Sequence, residues 1–141
     1  MGRRIIGFLV FLLVIVSCDP TDLRLLVESK VDTAEKEVPP MVTGVTPEDN
    51  EIGVGLRPEI VIDFNKAMNP DTINAATIFL RYQSTIIDTT ITPSDDLYTV
   101  TLTLDADLAP LTEYVLTISA DVADIYGKTL GSDYVTRFRT M

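Results

Sequence analysis

Histidine and tryptophan are absent from this 141-residue chain, and cysteine occurs once, at Cys18. Without histidine there is no histidine-based triad, no imidazole proton shuttle and no ordinary zinc site. A lone cysteine excludes a disulfide within the chain, so stability must come from burying an apolar core, which about 100 residues can do. The seven glycines are scattered, and no glycine-rich phosphate loop is present. Basic residues are scarce, 11 against 21 acidic, for a net charge of −10. That balance argues against nucleic acid and against adsorption to anionic lipid headgroups. No catalytic set and no cofactor site are expected.

What is present begins at the N-terminus. Arg3 and Arg4 precede an unbroken apolar run from Ile5 to Val16. Twelve helical residues would rise about 18 Å, too little for a hydrocarbon core of about 30 Å, and that length suits the h-region of a signal peptide. The run ends in Ile15-Val16-Ser17-Cys18, which resembles the bacterial lipobox, where a small residue precedes the cysteine that receives diacylglycerol before cleavage. An ordinary secretory signal with a chance cysteine, or an uncleaved anchor, is the competing reading; the lone cysteine standing where the motif needs it favours the lipobox. The expectation is a signal peptide over 1–17 and lipid on Cys18. Cleavage would leave 9 basic residues against 21 acidic, a charge of −12. Lipid then has to do the anchoring, and two or more acyl chains hold a protein stably where one does not. The expected location is the cell envelope, with the outer membrane, on its periplasmic or surface face, favoured over the inner membrane. Asp19 after the cysteine would direct retention at the inner membrane in some bacteria and surface export in others.

Residues 18–40 read as a tether: charge-rich, thinly apolar at Leu23, Leu26 and Val27, and closed by Pro39-Pro40. A turn or two of helix fits Leu23 to Val38, though short isolated helices are marginal in water. From residue 41 to 141 the pattern has period two. Ile60, Ile62 and Phe64 lie on one face, with Glu59 and Asp63 on the other; Tyr98, Val100, Leu102 and Leu104 alternate with threonines; Tyr114, Leu116 and Ile118 with Val115, Thr117 and Ser119; and Thr136, Phe138 and Thr140 with Val135, Arg137 and Arg139. Each is expected to be a half-buried strand. Shorter candidates are Met41 to Val45, Ile78 to Tyr82 and Ile86 to Ile91, with turn signals between them. Only Pro70 to Thr77 and Asp121 to Tyr126 read as single helical turns. About seven short strands in 100 residues predict an all-β, antiparallel β-sandwich.

Several segments resemble the bacterial Ig-like domain of S-layer and other surface proteins, the SbsA-type module. These are the opening Pro40 to Pro47; Pro58 to Met68 with its Phe64-Asn65 and Ala67-Met68; Asn69 to Ile78; Leu111 to Ile118 with Thr112 and Tyr114; Asp124-Ile125-Tyr126-Gly127-Lys128-Thr129-Leu130; and the closing Phe138-Arg139-Thr140. Lys128 stands where asparagine is commoner, a change of little weight in a turn that needs mainly its glycine. The resemblance implies an Ig-like sandwich over 41–141. Each residue also has a local reading: Tyr114 is placed like a tyrosine corner, Gly127 supplies a positive φ, and Asp124 accepts backbone N–H groups in its turn.

Carboxylates cluster at Glu48, Asp49 and Glu51, at Asp95 and Asp96, and at Asp121 and Asp124. Extracellular calcium sites use such oxygens, which makes Asp121 and Asp124 weak calcium candidates; the spacing matches no known calcium loop, and capping of turns explains the clusters more simply. Glycosidase chemistry would need two carboxylates in a cleft that a domain of this size has little room for. Asp32-Thr33-Ala34, Asp71-Thr72-Ile73 and Asp88-Thr89-Thr90 resemble short O-glycosylation triplets.

The function expected from the sequence is a non-catalytic, lipid-anchored envelope module with a structural, adhesive or protein-interaction role. Its partners would be the membrane, through lipid on Cys18, and a protein or glycan in the envelope or outside the cell. The alternatives are a carbohydrate-binding module, for which Tyr82, Tyr126 and Tyr134 are the available ring platforms, and an inert spacer or accessory subunit of an envelope complex.

Overall fold

The computed structural model describes residues 35–141; the expected signal peptide, Cys18 and most of the tether lie outside them. A helical turn over 35–37 leads into nine strands. In order these are β1 (Val42–Thr46), β2 (Glu51–Val54), β3 (Ile60–Phe64), β4 (Ile78–Tyr82), β5 (Thr85–Ile87), β6 (Thr89–Pro93), β7 (Thr99–Leu104), β8 (Glu113–Ile118) and β9 (Tyr134–Thr140). They form a four-stranded sheet, β1-β3-β7-β6, and a five-stranded sheet, β2-β9-β8-β4-β5. Among the described residues no helix is long and apolar enough to cross a membrane.

The alternation in the sequence is what builds the sandwich. Ile60, Ile62 and Phe64 of β3 and Val100, Leu102 and Leu104 of β7 are buried, and so are Ile78 and Leu80 of β4, Leu116 and Ile118 of β8, and Phe138 of β9. Because successive side chains point to opposite faces, these rows from both sheets meet in one core. Their burial removes enough apolar area, at about 25 cal/mol per Å², to make this layer the main source of stability.

Three features go beyond the sequence reading. Ile86 to Ile91 is two strands, not one: β5 pairs with β4 in the five-stranded sheet and β6 with β7 in the four-stranded sheet. The chain changes sheets at Asp88, and a period-two pattern runs through such a crossing unaltered. Strand β2 is additional, and it pairs parallel to β9 while every other pair is antiparallel. Its register shifts between Ile52 and Val54, around Gly53 at φ 75°, so its alternation is too short and irregular to read. Tyr98 lies outside β7 and is 39% exposed; Leu97 before it, at φ 64°, ends a turn and re-aims the chain.

The two expected helical turns fare differently. A 3-10 helix spans Pro70–Thr72, with Asn69 at its N-cap accepting from the Asp71 N–H at 3.0 Å. Asp121 to Tyr126 is not helical. Asp124 bridges to Met68 and Ala123 to Thr129, and these long-range pairings hold the segment against any local helical preference.

Candidate functional site

Two charged side chains are buried among the described residues, Lys66 at 4% exposure and Asp124 at 0%, and they face each other. Lys66 follows β3 and sits between the core residues Phe64 and Met68; Asp124 opens the turn that Gly127, at φ 84°, completes. Backbone bonds hold the two loops together: Ile125 N donates to Ala67 O at 3.1 Å and Asn69 N to Ala123 O at 2.9 Å. Lys66 Nζ donates to Asp124 Oδ2 at 2.6 Å. It also donates to the carbonyls of Glu35 and Val38, at 2.5 and 2.6 Å. Those three bonds satisfy all three protons of the ammonium. The other oxygen of Asp124, Oδ1, accepts from Tyr126 N and Lys128 N, each at 2.9 Å.

Burial by itself would raise the Asp124 pKa. The Lys66 ammonium and the two backbone N–H groups outweigh it and hold the carboxyl below its ordinary range. Asp124 is therefore ionised. Tyr126 stands beside it, its ring centroid 5.5 Å from Lys66 Nζ and 5.3 Å from Lys36 Nζ. Lys128 Nζ lies 3.6 Å from Glu37 Oε2 on the exposed rim. The sum is a clamp: the last residues before Pro39 are strapped to the sandwich through two main-chain carbonyls, a ring and an ion pair.

What such a clamp can do is mechanical. With every ammonium proton bonded and the carboxylate ionised, the pair offers neither a free nucleophile nor an acid. Nor is Asp124 placed to bind calcium: both its oxygens have donors, and a cation there would meet the Lys66 ammonium. Asp121 is exposed, its Oδ2 3.4 Å from Ser119 Oγ. No three metal-ligating side chains group together among the described residues.

The other singled-out residues hold the fold. Tyr114 is buried in β8, its hydroxyl accepts from Ala109 N at 2.9 Å, and its ring lies 5.9 Å from those of Phe138 and Tyr82. Asp49 Oδ1 accepts from Arg137 N at 3.1 Å and Thr136 Oγ1 at 3.0 Å, ties the β1–β2 turn to β9, and has its pKa lowered by those bonds. Asp96 Oδ1 accepts from Ser94 Oγ and Tyr98 N, with the same consequence. Thr72 donates to Asn69 O at 2.8 Å and accepts from Ala123 N at 3.1 Å, so its hydroxyl is committed to the fold. Thr89 lies half-buried in β6, and Thr33 falls outside the described residues. Tyr82 and Tyr134 lie at opposite ends of the five-stranded sheet, since Tyr134 opposes Ile118 and Ile118 opposes Ile78, at the far end of β4 from Tyr82.

Lys66 was not singled out from the sequence. A signal existed: a lysine two residues after Phe64, which ends a cleanly alternating strand, and two before the apolar Met68.

Two facing sheets, a core fed by both and the Tyr114 corner define an immunoglobulin-like β-sandwich. The model of the bacterial Ig-like domain matches residues 36–140, and the chain belongs to that family. Solved structures with a similar fold include the N-terminal part of the bacterial S-layer protein SbsC, with a TM-score of 0.64 and 17% identity over 85% of this chain and 28% of that one. The MG0-NIE-MG1 part of alpha-2-macroglobulin from Escherichia coli gives a TM-score of 0.56 at 17% identity, over 77% of this chain and 34% of that one. PcoC, a methionine-rich copper resistance protein from Escherichia coli, gives 0.57 at 12% identity, over 74% of this chain and all of that one. This chain thus spans between 16% and 28% of the SbsC chains that it matches. Comparison with curated proteins gives no match.

Proposed function

We propose that this protein is a non-catalytic module of the cell envelope, anchored by lipid on Cys18, that presents a rigid Ig-like sandwich for a structural or adhesive role. The observation that carries the reading is the clamp at Lys66 and Asp124. A linker of 35–40 without these bonds would leave the sandwich free to tumble on its tether. Strapping 35–38 to the domain holds the end of the tether against the sandwich, as suits a module that presents a rigid surface. The family supports the same reading. The composition of the N-terminus, Arg3 and Arg4, the apolar run and Ser17-Cys18, supports the lipid.

The glycan-binding alternative has less to rest on. Tyr126 is engaged with Lys36 and Lys66, and Tyr82 and Tyr134 are too far apart along the sheet to stack on one short sugar chain.

The test is metabolic labelling with an alkyne fatty acid, on the native chain and on Cys18→Ala, followed by protease shaving of whole cells. Label on the native chain that disappears in the variant is expected; shaving then separates a surface face from a periplasmic one. Native chain without label would overturn the anchoring. Turnover of an envelope polymer by the purified protein would overturn the non-catalytic role.

A further inference from the structure

The two outer sheet faces differ in kind. On the five-stranded sheet the outward rows follow from the register. Arg139 lies between Ile52 and Glu113; Arg137 opposes Val115, which opposes Arg81, which opposes Ile86; and Val135 opposes Thr117, which opposes Phe79. Residues 35–141 contain seven basic side chains and seventeen acidic ones. Three of the seven, Arg81, Arg137 and Arg139, are on this face, with Glu113 and, at its β2 edge beside Ile52 and Arg139, the exposed Glu51. Arg137 and Glu113 approach to 3.9 Å but are both more than half exposed, so the contact neutralises little. Among the arginines are the apolar Ile52, 78% exposed, Ile86, 57%, and Val135, 49%.

The four-stranded sheet is the reverse. None of β1, β3, β6 and β7 contains a basic residue. Its outer face carries Val61, Asp63, Thr90, Thr92, Thr99, Thr101 and Thr103, with exposed Glu59 just before β3 and exposed Asp105 just after β7. The carboxylates of Asp63 and Asp105 accept from Thr99 and Thr90, at 2.9 and 3.3 Å, which holds them in place on the surface.

We propose that these faces are the two halves of one contact between copies of this chain, the five-stranded face of one copy against the four-stranded face of the next. The charges are complementary in sum: three arginines against Glu113 and Glu51 on one face, and Glu59, Asp63, Asp105 and Asp107 against Arg57, which donates to the Asp105 carbonyl and pairs with Asp107, on the other. Arginine is the cation suited to an interface because its planar fork bonds carboxylates in pairs and is weakly hydrated. The threonine methyls and Val61 give the exposed apolar side chains a surface to cover. Two different faces make the contact heterologous, so each added copy leaves both kinds of face free and the assembly grows as a row. The net charge of −10 opposes it, which makes the contact weak and dependent on local concentration. The inference is independent of the lipid reading.

Sedimentation velocity of the full chain over rising protein concentration, in detergent micelles if the chain is lipidated, tests it at about 0.15 M salt. The wild type is expected to associate. Arg137→Glu/Arg139→Glu and, separately, Glu59→Lys/Asp63→Lys should each need at least about tenfold more protein to do so. The chain with all four changes should regain association, since the complementarity is restored with its signs exchanged. Arg139→Ala, a milder change on an exposed strand position, should weaken association without a cost to folding; circular dichroism checks the fold of each variant. A wild type that stays monomeric would overturn the proposal, and so would association that survives either double reversal, or a folded four-site variant that fails to regain it.

Discussion

Lys66 Nζ stands 2.6 Å from Asp124 Oδ2, across 58 residues of chain, with both side chains out of solvent. The two loops that carry them meet only because the sandwich brings the end of β3 beside the turn before β9. Removing one partner of a buried pair leaves the other uncompensated, a loss of about 3–5 kcal/mol. Lys66→Met and Asp124→Asn are each expected to lower the unfolding free energy measured in urea by amounts in that range. Lys66→Met/Asp124→Asn should be less destabilised than Asp124→Asn, because the buried ammonium goes while an acceptor for Tyr126 N and Lys128 N remains.

The same lysine holds the carbonyls of Glu35 and Val38. Lys66→Met should therefore speed tryptic cleavage after Lys36 under native conditions, severalfold relative to cleavage after Arg81 inside β4. Equal acceleration at both sites would mean global loosening, and no acceleration would mean that the clamp does not depend on Lys66.

Asp124 titrates below its ordinary value in the folded chain. A carboxyl depressed by folding contributes stability that is fully present above the unfolded pKa, about 4, and is lost as pH falls through the lower folded value. Asp49 and Asp96 shift in the same direction. Thermal unfolding followed by circular dichroism should show a melting temperature steady from about pH 7 to pH 5 and falling below about pH 4, with a shallower fall in Lys66→Met/Asp124→Asn.

The Tyr114 hydroxyl accepts from Ala109 N at 2.9 Å and closes the loop before β8. Tyr114→Phe keeps the ring against Phe138 but orphans a backbone donor, which costs about 1–3 kcal/mol. Chemical denaturation should register that loss with an unchanged m-value.

Thr117 Oγ1 is the buried side-chain oxygen without a partner among the described residues. It lies on the outward row of β8 between Phe79 and Val135. Thr117→Val keeps the β-branched shape and removes an unsatisfied group, so a gain of about 1 kcal/mol is expected from the same denaturation experiment.

Much of this molecule can be read from the chain because its signals are local. Tyr98 to Leu104 and Pro58 to Asn65 alternate cleanly, and the burial of Val100, Leu102, Leu104, Ile60, Ile62 and Phe64 follows from the two-residue period alone. The turn at Gly127 is legible because glycine tolerates a φ of 84° that other residues resist. Strand β2 is not legible: a bulge at Gly53 and an acidic turn break its alternation, and its parallel partner β9 lies more than 80 residues away.

The sequence by itself determined the class of fold, the rows that fill the core, the absence of a histidine or disulfide chemistry and the acidic balance, since composition and short-range periodicity carry all of these. Tertiary structure alone decided that Ile86 to Ile91 divides between two sheets, that Asp124 meets Lys66 instead of solvent, and that three arginines share one face while carboxylates share the other. Those outcomes depend on which strands become neighbours, and pairing between distant segments is set by the packing of the whole core, to which no local window of the chain has access.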